Sequence, residues 1–147
     1  MKMRLLSSLA FLTLAIVAPS PSAAQASASP RDGIVVHITH GAEDPHRLLM
    51  GLQMAAGMVD THDVLVYFDV KGVEAVLKDA PDVAYAQFPR LKEQLANLQR
   101  RGVTVMACPG CLQAIGKTPQ DLAPGIQASD RSKFFTFTRG RILTLDY

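Results

Sequence analysis

The sequence predicts an α/β domain, a three-layer α/β/α sandwich around a mostly parallel five-stranded sheet. Three observations carry the prediction. Short apolar, β-branched runs recur along the chain, and their near-continuous hydrophobicity fits strands covered on both faces. Helix-like patterns alternate with those runs, as in βαβ units. The chain is 147 residues long, and the segment beyond its N-terminal leader, about 120 residues, is the size of one compact domain.

The elements follow in order. Residues 34–39 form the first strand, and 40–44 a loop. Asp44-Pro45 then reads as an N-cap with proline at the first helical position, opening a helix that runs to about residue 60. Residues 64–68 form the second strand. Residues 70–78 have helical character, which Asp79-Ala80-Pro81-Asp82 breaks. The next helix spans about 88–101, with Phe88, Leu91, Leu95 and Leu98 on one stripe and Gly102 as its stop. Residues 103–107 form the third strand. Thr118-Pro119-Gln120-Asp121 reads as a short capped helix, 126–128 as a brief fourth strand and 129–137 as helical. Gly140 turns the chain into a fifth strand at 142–145.

Residues 1–26 have the make-up of a secretory signal peptide. Lys2 and Arg4 precede an apolar run over 5–18, and Ala24-Gln25-Ala26 supplies the small-residue cleavage site. The apolar run is shorter than the ~20 residues a membrane helix needs, and no cysteine follows to carry a lipid, so no stable membrane anchor is expected. Residues 27–32 form a short linker and 33–147 the domain, placed in the periplasm or secreted. The whole chain has 15 Lys+Arg against 13 Asp+Glu. Lys2 and Arg4 leave with the signal, so the remainder is neutral. A neutral chain without a basic run argues against a nucleic-acid partner. There is no phosphate-cradling glycine loop, and no cofactor is expected.

The chemistry concentrates at Cys108-Pro109-Gly110-Cys111, which holds both cysteines of the chain. The pair falls where the third strand gives way to a helix, a position at which backbone N–H groups favour a thiolate. A bridge between cysteines so close would close a tiny loop and stabilise little, so reactivity explains the pair better than a structural staple. Cys111 is placed to resolve a mixed disulfide or trap a persulfide; the bland alternative is two buried, inert thiols.

In parallel sheets reactive groups gather at the carboxyl ends of the strands. That rule brings the 40–44 loop, Asp69 and Cys108 to one edge. His40 is therefore a candidate general base, proton donor or metal ligand beside Cys108, or else a solvated loop histidine. His37, in mid-strand, reads as a hydrogen-bonded core histidine; His46 and His62 read as surface residues. Glu43 and Asp44 are explained by helix capping. Cysteines and histidines together could hold zinc or copper, but one CxxC without a second pair is a weak metal pattern, and no metal site is assigned.

The segment 33–147 resembles the DsrE/DsrF-like sulfur-relay family. The matching features are Thr39-His40-Gly41-Ala42-Glu43-Asp44-Pro45 after the first strand, Lys71-Gly72-Val73 after the second, Arg101-Gly102-Val103-Thr104-Val105 leading to Cys108, and a terminal Leu145-Asp146-Tyr147. The resemblance implies a small α/β/α domain that assembles as a trimer or hexamer and carries sulfur as a persulfide on Cys108. It also implies a protein or small sulfur species as donor and acceptor. The best-known members are cytosolic and use a single cysteine, whereas this chain has a leader and Cys111.

Met50, Met54 and Met58 recur at i+4 on the first helix, away from the stripe of Leu48, Leu52, Ala55, Ala56 and Val59. A helix apolar on two faces is buried on two faces, so the methionines are expected in a contact between copies of the chain. Three function classes stand open: a sulfur carrier on Cys108, a Cys108–Cys111 thiol–disulfide oxidoreductase, and a non-catalytic oligomeric binding module, with a metal among its candidate ligands.

Overall fold

In the computed structural model, which describes residues 29–147, five strands form one sheet in the order β4-β3-β2-β1-β5, with every neighbouring pair parallel. The elements are β1 (Gly33–Ile38), α1 (Pro45–Met58), β2 (Asp63–Phe68), α2 (Gly72–Ala75), α3 (Leu91–Arg100), β3 (Thr104–Ala107), α4 (Pro109–Ala114), β4 (Ile126–Ala128), α5 (Arg131–Phe134) and β5 (Ile142–Asp146). A 3-10 turn at Pro119–Asp121 carries the Thr118 capping box. The predicted leader at 1–26 lies outside the described residues. Among the described residues no helix is long and apolar enough to cross a membrane.

Strand alternation sorts the core into two unequal layers. Ile34, Val36 and Ile38 of β1, Val64, Val66 and Phe68 of β2, and Val105 and Ala107 of β3 pack with Leu48, Leu52 and Ala55 of α1 and with Leu91, Leu95 and Leu98 of α3. The opposite face buries Val35, Leu65 and Met106, covered by Phe134 of α5 and by Phe137, with Tyr67 beside them. Both faces are therefore apolar along the central strands, which is why those strands read as continuous hydrophobic runs.

Helix ends depart from the predicted spans for local reasons. α1 is capped by Asp44, whose carboxylate accepts the Arg47 amide at 3.2 Å. α3 starts three residues late. Pro89 disfavours helical backbone at Phe88, and Asp82 accepts the Lys92 amide at 3.0 Å, so the chain enters the helix from an extended Arg90. Gly102 stops that helix at φ +78. α5 is shorter than 129–137 because the Ser129 amide continues the sheet ladder to the Ala107 carbonyl (2.8 Å), leaving Asp130 as the cap. α2 is cut to four residues from both ends: Val70 takes φ +45 before it, and Leu77 bridges to Leu122 just after it.

Candidate functional site at the carboxyl edge of the sheet

Register assembles the site. His37 lies opposite Tyr67 on one side and Asp146 on the other. Two residues beyond Tyr67 and Met106, on the same face, come Asp69 and Cys108. Cys108 is tied to β2 through its amide, which donates to the Phe68 carbonyl at 2.8 Å. Pro109 then starts α4 with Cys108 as its cap residue.

The Cys111 amide reaches Cys108 Sγ at 3.2 Å. Burial works against ionisation of this thiol, yet hydrogen bonds from the Cys111 thiol, the Cys111 amide, the Tyr67 hydroxyl and the Gly110 amide outweigh it and hold Cys108 below the ordinary thiol range. Cys111 goes the other way. Burial and the neighbouring Cys108 push its thiol up, opposed by the Val70 amide, which donates to Cys111 Sγ at 3.3 Å. The two thiols thus divide into a Cys108 that ionises more readily than an ordinary thiol and a Cys111 that ionises less readily. The Cys111 amide, one of the first-turn donors that a helix leaves unpaired, is spent on the Cys108 sulfur.

Tyr67 is the residue that sequence reasoning passed over. Burial first, and then the Cys108 sulfur, push its phenol up to about 12, with the Ser129 hydrogen bond opposing. It therefore stays protonated and serves as a donor. Its ring stacks on His37 (centroids 5.7 Å apart, planes at 28°) and meets Phe134 edge-on at 5.0 Å. The available signal was period two: Tyr67 and Asp69 share a face at the end of a strand that adjoins the cysteine strand.

His37 sits between two carboxylates. Nδ1 is 2.7 Å from Asp146 Oδ1, and Nε2 is 2.8 Å from Asp69 Oδ2, off the line of an N–H···O bond. Burial favours the neutral ring, but Asp69 and Asp146 prevail and raise the pKa above the ordinary 6.5. Because the folded value is the higher one, the stability this cluster adds is complete below about 6.5 and is lost as pH climbs through the raised value. Asp69→Asn should lower the pH at which the His37 ring titrates by NMR and flatten the stability profile above neutrality. An unchanged His37 titration would show that Asp69 does not hold the charge. The two carboxylates face opposite nitrogens of one ring, so they share no centre with it. Among the described residues no three His, Cys, Asp or Glu side chains form a group that could hold a metal.

His40, expected beside Cys108, is elsewhere. It pairs with Thr39 Oγ1 at 2.9 Å and Arg47 at 3.3 Å, and lines a cleft of about 300 Å³ with Asp146 and Tyr147. β2 stands between β1 and β3, so the histidine nearest the cysteine cluster is His37, through Tyr67. His46 lies on the surface against Tyr85.

A short parallel sheet with a donor-lined dithiol at its carboxyl edge defines a small single-sheet α/β protein with a thiol site. The chain belongs to the DsrE/DsrF-like family, whose profile matches residues 32–139. Two solved structures are similar in fold. The ychN protein from E. coli is 17% identical, with a TM-score of 0.59 over 78% of this chain and 98% of that one. A protein of unknown function, MTH1491 from Methanobacterium thermoautotrophicum, is 16% identical, with a TM-score of 0.54 over 78% of this chain and 99% of that one. No curated protein matches the chain.

Proposed function

We propose that the protein is an exported, self-assembling sulfur carrier that holds sulfane sulfur as a persulfide on Cys108. The carrying observation is the division of the pair: Cys108 Sγ accepts the Cys111 amide and titrates low, with Tyr67 and Gly110 also favouring its ionised form, while Cys111 titrates high. The thiolate is the nucleophile in such chemistry. Cys108 Sγ attacks a terminal sulfur of a polysulfide, an S–S bond of the donor breaks, and the shortened polysulfide leaves with the electron pair. The donors that favour the thiolate also surround the persulfide's inner sulfur. His37, Asp69 and Asp146 act at one remove, by fixing the Tyr67 ring from which the hydroxyl projects.

Intact mass spectrometry after incubation with polysulfide tests the reading. Cys111→Ser, which keeps Cys108 as its one thiol, should gain about 32 Da, one sulfur, and Cys108→Ser should gain none. Loading that survives in Cys108→Ser would remove Cys108 as the carrier. Two free thiols in the first turn of α4 favour a second reading, a thiol–disulfide oxidoreductase, in which the wild-type protein would lose about 2 Da on oxidation and Cys111→Ser would take up no sulfur.

Export follows from the leader, and self-assembly from α1, where Met50, Met54 and Met58 are left half-buried after Leu48, Leu52 and Ala55 have filled the core. N-terminal sequencing and light scattering on protein from its native compartment read both. A chain starting at Ser27 and a mass several times that of one chain are expected; a chain starting at Met1, or a monomer at micromolar concentration, removes the corresponding part.

A further inference from the structure

The two sulfurs have separate sets of donors, and the second set is costly. Cys111 Sγ receives the amide of Val70, whose φ of +45 is a conformation that β-branched residues rarely adopt. What the turn places is an N–H on the Cys111 sulfur. A carrier acting through Cys108 alone has no use for a strained amide aimed at the other cysteine. A chemistry in which Cys111 also takes on negative charge does, because that amide offsets the charge as it develops.

We infer that Cys111 is a resolving thiol that ends the persulfide by releasing sulfide, an activity beyond carriage that rests on the reading of Cys108 as the persulfide site. Cys111 Sγ attacks Cys108 Sγ. The bond between Cys108 Sγ and the sulfane sulfur breaks, and the outer sulfur departs with the electron pair. The persulfide anion and the Cys111 thiol become a Cys108–Cys111 disulfide and hydrosulfide, the Cys111 proton leaving on the sulfide. The sulfane sulfur gains two electrons and the two cysteine sulfurs lose them, so the step needs no outside oxidant. An external dithiol reductant then reopens the disulfide by exchange. The first turn of α4 suits the attack: it sets the two cysteines three residues apart and brings the Cys111 amide to 3.2 Å from Cys108 Sγ.

The experiment loads the protein with polysulfide under anaerobic conditions, removes the excess, and follows trapped sulfide together with intact mass. Wild-type protein should release about one sulfide per chain and end about 2 Da below the dithiol mass. Cys111→Ser should load and keep its extra sulfur roughly tenfold longer, with Cys111→Ala as the check that the hydroxyl is not responsible. Wild-type protein that holds its persulfide as long as Cys111→Ser, with no sulfide, overturns the resolving step and leaves the carrier intact. A failure of every form to gain sulfur overturns the carrier reading and this step with it.

Discussion

Gly72→Ala should destabilise the fold by about 3 kcal/mol, the upper end of what overpacking usually costs. A Cβ on Gly72 would lie against the Ile38 carbonyl, with the Phe68 ring 3.5 Å away. The contact is backbone on backbone, so no side-chain rotation relieves it. The same few atoms tie the carboxyl ends of two strands to α2: the Gly72 amide donates to Thr39 at 3.1 Å, and the Asp69 amide to Ile38 at 3.1 Å. Pushing Gly72 away therefore moves Asp69 and Val70, which face His37 and Cys111, along with β1. Gly57→Ala is the matched control. Gly57 lies in α1 with nothing within 4 Å of its added Cβ, so this change should stabilise by about 0.5–1 kcal/mol. Urea unfolding of the two variants reads the contrast. A midpoint for Gly72→Ala within experimental error of wild type would mean the close approach does not constrain the fold.

The constraint at Gly72 also shows where sequence reasoning stops. Lys71-Gly72-Val73 could be quoted as a motif, but its reason, a carbonyl two strands' ends away, exists only after β1 and β2 are paired. Features set by neighbouring residues were legible. The apolar runs, the Asp44-Pro45 helix start, the Gly102 stop and the strand-to-helix setting of Cys108 all depend on a few consecutive positions. Features set by competition between distant groups were not. Pro89 and Asp82 moved the start of α3, and the sheet took Ser129 from a predicted helix. At the site, the carboxyl-edge rule named the correct edge but not the order of strands along it. With β2 between β1 and β3, the loop histidine His40 falls toward β5, while the mid-strand His37 joins the cysteine side through Tyr67. Tyr67 itself looked like any strand tyrosine, because its role depends on the strand next door.

Tyr67→Phe should slow alkylation of Cys108 at neutral pH about tenfold, the equivalent of one charge-assisted hydrogen bond of about 1.5 kcal/mol. The substitution keeps the ring, and with it the stack on His37 and the edge contact with Phe134, and it removes only the hydroxyl. With its phenol pushed up to about 12, that hydroxyl is protonated and available as a donor throughout the range in which Cys108 titrates. Burial already resists the Cys108 thiolate, and the hydrogen bonds from Cys111, Tyr67 and Gly110 act against that resistance. Taking one away lets burial count for more, so the Cys108 pKa rises and less thiolate is present near pH 7. The sign also fixes the shape of the profile. The two proteins should differ most below the raised pKa and converge above it, where both are fully ionised. Iodoacetamide rates against pH, measured in a Cys111→Ser background so that one thiol reports, distinguish this from a structural defect, which would lower the rate at every pH. Superimposable profiles for Tyr67 and Phe at this position would show that the hydroxyl does not act on the sulfur, leaving the amides of Cys111 and Gly110 as the donors that set its reactivity.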